Sequence, residues 1–221
     1  TAEVPTNATI GGFQQANGGG GAQCIASADV AISTTALTSC TIMIVDILSH
    51  QGGLSGTVTT PQTTNLPTAA LTRYTSGEGV MMGLTIYSAV GTTGTTVSVS
   101  YTNQSGTSGQ TSPLTGFGAT SYREAGRLIH LPLASGDTGV RSVESVTVTA
   151  TTGTAGNFGV TLFKPIAMIS VNTGDQTSNN FVSGGLLGGL AEIVDNACLV
   201  PFIIGSTSGP SGQIVLNLTE H

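Results

Sequence analysis

Charge is what this sequence has least of. Only 7% of its 221 residues are charged, five Lys or Arg against 11 Asp or Glu, where an ordinary soluble domain carries about 25%. The shortage removes most of the groups that perform acid–base chemistry, hold metals or grip phosphate. It argues for a structural protein over an enzyme. Nucleic acid is not an expected partner, because phosphate binding runs on clustered Lys and Arg. Here the net charge is −6, the one lysine is Lys164, and the only close basic pair is Arg123 and Arg127. Tryptophan is absent and tyrosine numbers four, which leaves little ring surface for stacking a sugar. The cysteines Cys24, Cys40 and Cys198 are an odd count, too few for a disulfide scaffold. Three buried thiols are the first reading and a Cys24–Cys40 bridge the second. No metal or other cofactor is expected, since no Cys pair has C-x-x-C spacing and no His lies near one. Nor is a membrane: the longest apolar stretch, residues 186–204, is broken by Glu192, Asp195 and Pro201. Each mid-span acid costs about 2.5–3.5 kcal/mol on insertion. Residues 1–23 show no basic n-region and no apolar run, so no signal peptide is read there.

Hydroxyls and glycine fill the place of the missing charges, with 36 Thr and 32 Gly. Residues 1–23 read as an extended arm, with Pro5, Gly11-Gly12 and the run Gly18 to Gly21. Such a segment has high backbone entropy and no periodic apolar face. Val4, Ile10 and Phe13 are spaced along it as anchors and are the candidate partner-binding residues. The glycine run is expected to decouple this arm from a body at residues 24–221.

In that body strand follows strand. Residues 41–48 form a continuous apolar run, the mark of a strand buried on both faces. In residues 95–101, Val97, Val99 and Tyr101 alternate with Thr96, Ser98 and Ser100, the period of two of a half-buried strand. Further strands are expected at residues 80–90, 127–133, 142–151, 158–171, 199–204 and 213–218. Gly91-Thr92-Thr93-Gly94 reads as a tight hairpin, and residues 188–195 as one weak helical stretch. Ile42, Ile44, Val97, Val99, Val146, Val148 and Leu216 are expected in the core. The class is all-β, an antiparallel β-sandwich, and eight or nine strands with a few long crossovers suggest a jelly roll.

No motif carries chemistry. Asp137-Thr138-Gly139 spells the aspartic-protease triplet, but that chemistry needs a second carboxylate sharing the proton. The flanks Ser135-Gly136 and Val140-Arg141 are those of a turn. Neither Gly18 to Gly21 nor Gly184-Gly185-Leu186-Leu187-Gly188-Gly189 is followed by the Lys-Ser/Thr of a phosphate loop. His50, His130 and His221 are far apart. Glu124 and Arg127 are spaced for a local ion pair worth only tenths of a kcal/mol. Acidic residues do not cluster as calcium requires.

Two segments are more particular: Tyr101-Thr102-Asn103-Gln104-Ser105-Gly106, and Gly136-Asp137-Thr138-Gly139-Val140-Arg141. With Arg73-Tyr74-Thr75-Ser76-Gly77-Glu78-Gly79-Val80 before them and Asp195-Asn196-Ala197-Cys198-Leu199 after, the succession resembles a group of tailed-bacteriophage virion structural proteins of similar length. The resemblance covers roughly residues 70–200 and does not reach the arm. It implies a capsid component, a head decoration (cement) protein with a β-sandwich body and no catalytic residues. The expected partners are the major capsid protein and further copies of the chain, as a homotrimer matching local three-fold positions. The expected location is the capsid surface of the virion, and the host cytoplasm during assembly. The alternative is a carbohydrate-binding or host-attachment β module of a virion or cell surface, against which the scarcity of aromatics weighs.

Overall fold

A computed structural model describes residues 2–19, 23–33, 39–63, 71–119, 122–172, 176–181, 192–204 and 211–220. The chain is all-β, with antiparallel sheets and no helix among the described residues. It divides into two compact units. Unit 1 comprises Thr1–Pro5 and Ile47–Lys164, and unit 2 comprises Thr6–Asp46 and Pro165–His221. Each has its own apolar core.

Unit 1 is a sandwich of two sheets. The first runs in the order β1 (Ala2–Glu3), β3 (Ser39–Leu54), β11 (Asn157–Asn172), β5 (Met81–Ser88), β9 (Leu128–Leu131). β3 and β11 enter this unit with the parts that lie between Ile47 and Lys164. The second runs β4 (Gln62–Thr63), β10 (Val140–Val148), β6 (Thr95–Asn103), β7 (Gln110–Thr111), with β8 (Thr115–Phe117) also on β6. Alternation decides what lies between them. Met82, Leu84 and Ile86 of β5 and Phe158, Val160 and Leu162 of β11 share one core with Val97, Val99 and Tyr101 of β6 and Val143, Val146 and Val148 of β10. Burying one such aliphatic or Phe side chain contributes about 1.5–3 kcal/mol. Gly159 sets how closely two strands approach, since a Cβ there would run into the carbonyl of Gln51.

The expected hairpin at Gly91–Gly94 does not form. β5 pairs with β9 and β11, whereas β6 pairs with β10, β7 and β8, so the segment passes from one sheet to the other. Its backbone is held elsewhere: the Gly91 N–H donates to Thr152 Oγ1 at 3.0 Å, and the Thr93 N–H to the Thr152 carbonyl at 3.1 Å.

In unit 2, β2 (Gln23–Ser33) lies between β12 (Gln176–Asn180) and β14 (Ser211–Glu220). β13 (Leu199–Ile204) pairs with the start of β3, from Leu199↔Asp46 to Ile204↔Thr41. The core gathers Ala28, Val30 and Ile32 of β2 with Ile42 and Ile44 of β3 and Ile169 and Val171 of β11. Among the expected core residues, Ile42, Ile44, Val97, Val99, Val146 and Val148 are fully buried, while Leu216 packs on this core half-buried. Cys24, Cys40 and Cys198 are buried thiols with no disulfide, and burial raises the pKa of Cys24 and Cys40. Of the expected helical stretch, residues 188–191 lie outside the described residues. Residues 192–195 are not helical; the Ile193 N–H instead donates to the Gln23 carbonyl at 2.7 Å.

Candidate functional site

The two segments singled out in the sequence meet at one corner of unit 1. β6 ends at Asn103, facing the turn that leads into β10. The Tyr101 hydroxyl donates to Asp137 Oδ2 at 2.6 Å and accepts the Ala134 N–H at 2.8 Å. Asn103 Nδ2 donates to Asp137 Oδ1 at 2.7 Å, while its Oδ1 accepts the N–H groups of Ser105 and Thr107. Gln104 Oε1 accepts the N–H groups of Thr138 and Gly139. The Thr138 hydroxyl donates to Glu78 Oε2 at 3.0 Å, Arg141 Nε to the Ser76 carbonyl at 3.1 Å, and Lys164 Nζ to the Glu78 carbonyl at 2.7 Å. Gly139 must lack a side chain here, because a Cβ would run into the carbonyl of Gly77.

This arrangement is a scaffold. Both Asp137 oxygens hold neutral donors, where a shared-proton dyad would need a second carboxylate. Burial first, then the bond to Asp137, pushes the Tyr101 phenol up to about 12. The Asp137 carboxylate works across the corner on β6, rather than capping its own turn. Among the described residues no group of three or more His, Cys, Asp or Glu is placed to hold a metal. Glu124 and Arg127 form their exposed pair at 3.2 Å. His130, on β9, borders a depression of about 410 Å³ with Asp137 and Thr138, and partial desolvation holds its pKa below the ordinary imidazole value.

The candidate partner-binding residues of the arm are placed differently from one another. Within unit 1, Ala2 and Glu3 pair with Gln51 and His50 of β3. Glu3 Oε2 lies 3.1 Å from His50 Nε2, and the Tyr87 hydroxyl lies 2.7 Å from His50 Nδ1. Val4 is half-buried and Pro5 buried. Arg73, only 8% exposed, donates to the Pro5 carbonyl at 2.9 Å and the Ile47 carbonyl at 2.8 Å. Within unit 2, the Phe13 ring packs on the core and its N–H donates to the Leu199 carbonyl at 2.8 Å. Gln15 donates to the Ala197 carbonyl, and Asn17 Nδ2 to Asn196 Oδ1. Ile10 is 98% exposed, just beyond a turn closed by the Thr9 N–H to the Thr6 carbonyl at 2.9 Å. It is the one anchor of the three that faces solvent.

No family model matches the chain, nor does any curated protein or any solved structure. The site therefore rests on its own residues.

The outer side of the second sheet of unit 1 is hydroxylated. Cross-strand partners include Thr102 with Ser142, Ser100 with Ser145, and Ser98 with Thr147. Glu144 is the acid among them, accepting the hydroxyls of Ser100, Thr102 and Ser142. At one end this face runs into an open depression of about 540 Å³, lined by Thr95, Thr96 and Thr149, by Gly116, and by Tyr122. Sequence reasoning used the alternation in β6 only for its inward valines and Tyr101. The outward hydroxyls were the same signal read on the other face. Tyr122 gave no local signal, since it lies outside every regular strand.

Proposed function

We propose that this chain is a structural virion protein, a decoration (cement) protein that binds the outside of a tailed-phage capsid and reinforces contacts between shell subunits. Its partners on this reading are the major capsid protein and two further copies of itself in a homotrimer. It would lie on the capsid surface in the virion and pass through the host cytoplasm during assembly. The supporting observation is the corner at Asp137. The residues that carry the resemblance to virion proteins are spent on one another there, through Tyr101, Asn103, Gln104 and Gly139. They build a shape and leave no reactive group. A rigid sandwich touching several shell subunits at once gains avidity without any single strong bond. Ile10, exposed beside an ordered turn, is an anchor suited to a pocket on such a neighbour.

Two measurements test this. Particles purified from infected cells should contain the protein in fixed ratio to the shell subunit, and cryo-electron microscopy should place it at a symmetry axis. Its absence from purified particles would remove the proposal. Binding should survive 1 M NaCl, where the Debye length falls to about 3 Å, and should weaken in urea first, because apolar burial is not screened. Release by salt alone would assign the interface to the few arginines.

A further inference from the structure

We infer that unit 1 carries a binding site for a neutral saccharide, in the open depression where β8 and the start of β6 meet the end of β10. The inference goes beyond the decoration reading and does not rest on it. The depression, about 540 Å³, falls within the roughly 300–1,000 Å³ of small-ligand sites.

Its polar chemistry follows from where the threonine protons go. The Thr149 hydroxyl donates to the Thr96 carbonyl at 3.1 Å. Its oxygen lies 3.0 Å from Thr95 Oγ1 and 2.9 Å from Thr96 Oγ1. With the Thr149 proton spent on the carbonyl, Thr149 Oγ1 accepts the Thr96 N–H at 3.4 Å and has one lone pair left for the Thr95 and Thr96 hydroxyls. Each hydroxyl oxygen has two lone pairs. Thr95 Oγ1 gives one to the Ala150 N–H at 3.0 Å, and Thr96 Oγ1 keeps both. The depression thus presents hydroxyl acceptors, and one hydroxyl proton that Thr149 does not take up, to the hydroxyls of an incoming sugar.

Its other wall is a ring. Tyr122 is 45% exposed, and it rests over bare backbone, since a Cβ at Gly116 would lie 3.6 Å from its Cε2. A tyrosine with an apolar body and a polar tip stacks on the C–H face of a sugar. None of the described lining residues is charged, which leaves phosphorylated, sulfated and sialylated ligands without a counter-charge among them. Longer chains can continue along the outer hydroxyls of β6 and β10. The scarcity of aromatics in the sequence weighed against sugar binding by number. One ring in a hydroxyl-lined depression is a different matter.

The test uses the full chain and a panel of neutral hexa-oligosaccharides (cellohexaose, maltohexaose, chitohexaose, mannohexaose) with sialyllactose and a heparin hexasaccharide as charged controls. Binding is read by saturation-transfer and chemical-shift NMR. At least one neutral oligosaccharide should bind, transferring saturation from tyrosine ring protons. Tyr122→Ala should weaken binding about tenfold, Tyr122→Phe should retain it, and Thr96→Val with Thr149→Val should abolish it. Should the double variant fail to fold, the Tyr122 pair and the wild-type shift map still decide. Binding by none of the neutral sugars, preference for a charged control, or equal binding by Tyr122→Ala would each overturn the inference. None of these outcomes bears on whether the protein sits on a capsid.

Discussion

Removing one oxygen atom tests the corner of unit 1. Tyr101→Phe keeps the buried ring in the core and deletes only the hydroxyl that donates to Asp137 at 2.6 Å and accepts the Ala134 N–H at 2.8 Å. A hydrogen bond to a charged group is worth about 1.5–3 kcal/mol and a neutral one about 0.5–1.5 kcal/mol. The expected loss is therefore about 2–4 kcal/mol. With a urea slope of about 2 kcal/mol per molar, the midpoint should fall by about 1–2 M at unchanged slope. Fluorescence suits the assay: there is no Trp, and Tyr74, Tyr87, Tyr101 and Tyr122 all lie in unit 1, so the signal reports that unit. An unchanged midpoint would refute the reasoning, since water would then be replacing both bonds. The phenol also predicts a pH dependence. Its pKa is raised from 10.0 to about 12, so its share of stability is complete below pH 10 and is lost as pH rises through about 12. The Phe variant should lack that alkaline loss.

Arg73→Met should cost about 2–4 kcal/mol, because the Pro5 and Ile47 carbonyls lose a charged donor. Limited proteolysis should then cut within residues 1–19 faster than in the wild type. Deleting residues 1–21 should likewise lower stability in a urea titration, since the segment makes bonds of its own with each unit despite its glycines. Gly159→Ala should prevent unit 1 from folding, through the clash with the Gln51 carbonyl, and soluble yield together with tyrosine fluorescence checks it. His130, whose pKa is lowered, contributes stability that is held above its ordinary pKa and lost as pH falls through the lower folded value. His130→Gln should therefore flatten the acid limb of the stability curve measured by denaturation from pH 7 to pH 4.

Legibility differed by feature. The β6 alternation was readable because one face is apolar and the other hydroxylated, and the long β3 run because its central residues are buried on both sides. The Gly91–Gly94 segment was misread because a glycine-rich tetrapeptide between strands looks alike whether it closes a hairpin or crosses between sheets. What decides is Thr152, some 60 residues on, which takes the backbone bonds. Buried Arg73 was not recognisable, since its two carbonyl acceptors come from Pro5 and Ile47, distant in sequence. The arm's glycines signalled entropy but not the bonds that Gln15, Asn17 and Phe13 supply against it.

The order in which the ribosome delivers the chain follows from the two-unit division. Unit 1 is almost wholly a continuous span, Ile47–Lys164, whereas unit 2 is assembled from what comes before and after it. β2 precedes that span, but its partners β12 and β14 emerge only after it. Pairings at such separation are slow to form and leave strand edges open meanwhile. Cys24, Val30 and Ile32 must therefore wait, uncovered, until the segments from Gln176 onward have emerged. A nascent chain stalled after Lys164 should hold a folded unit 1 and an unfolded β2, which makes β2 the segment most in need of a chaperone.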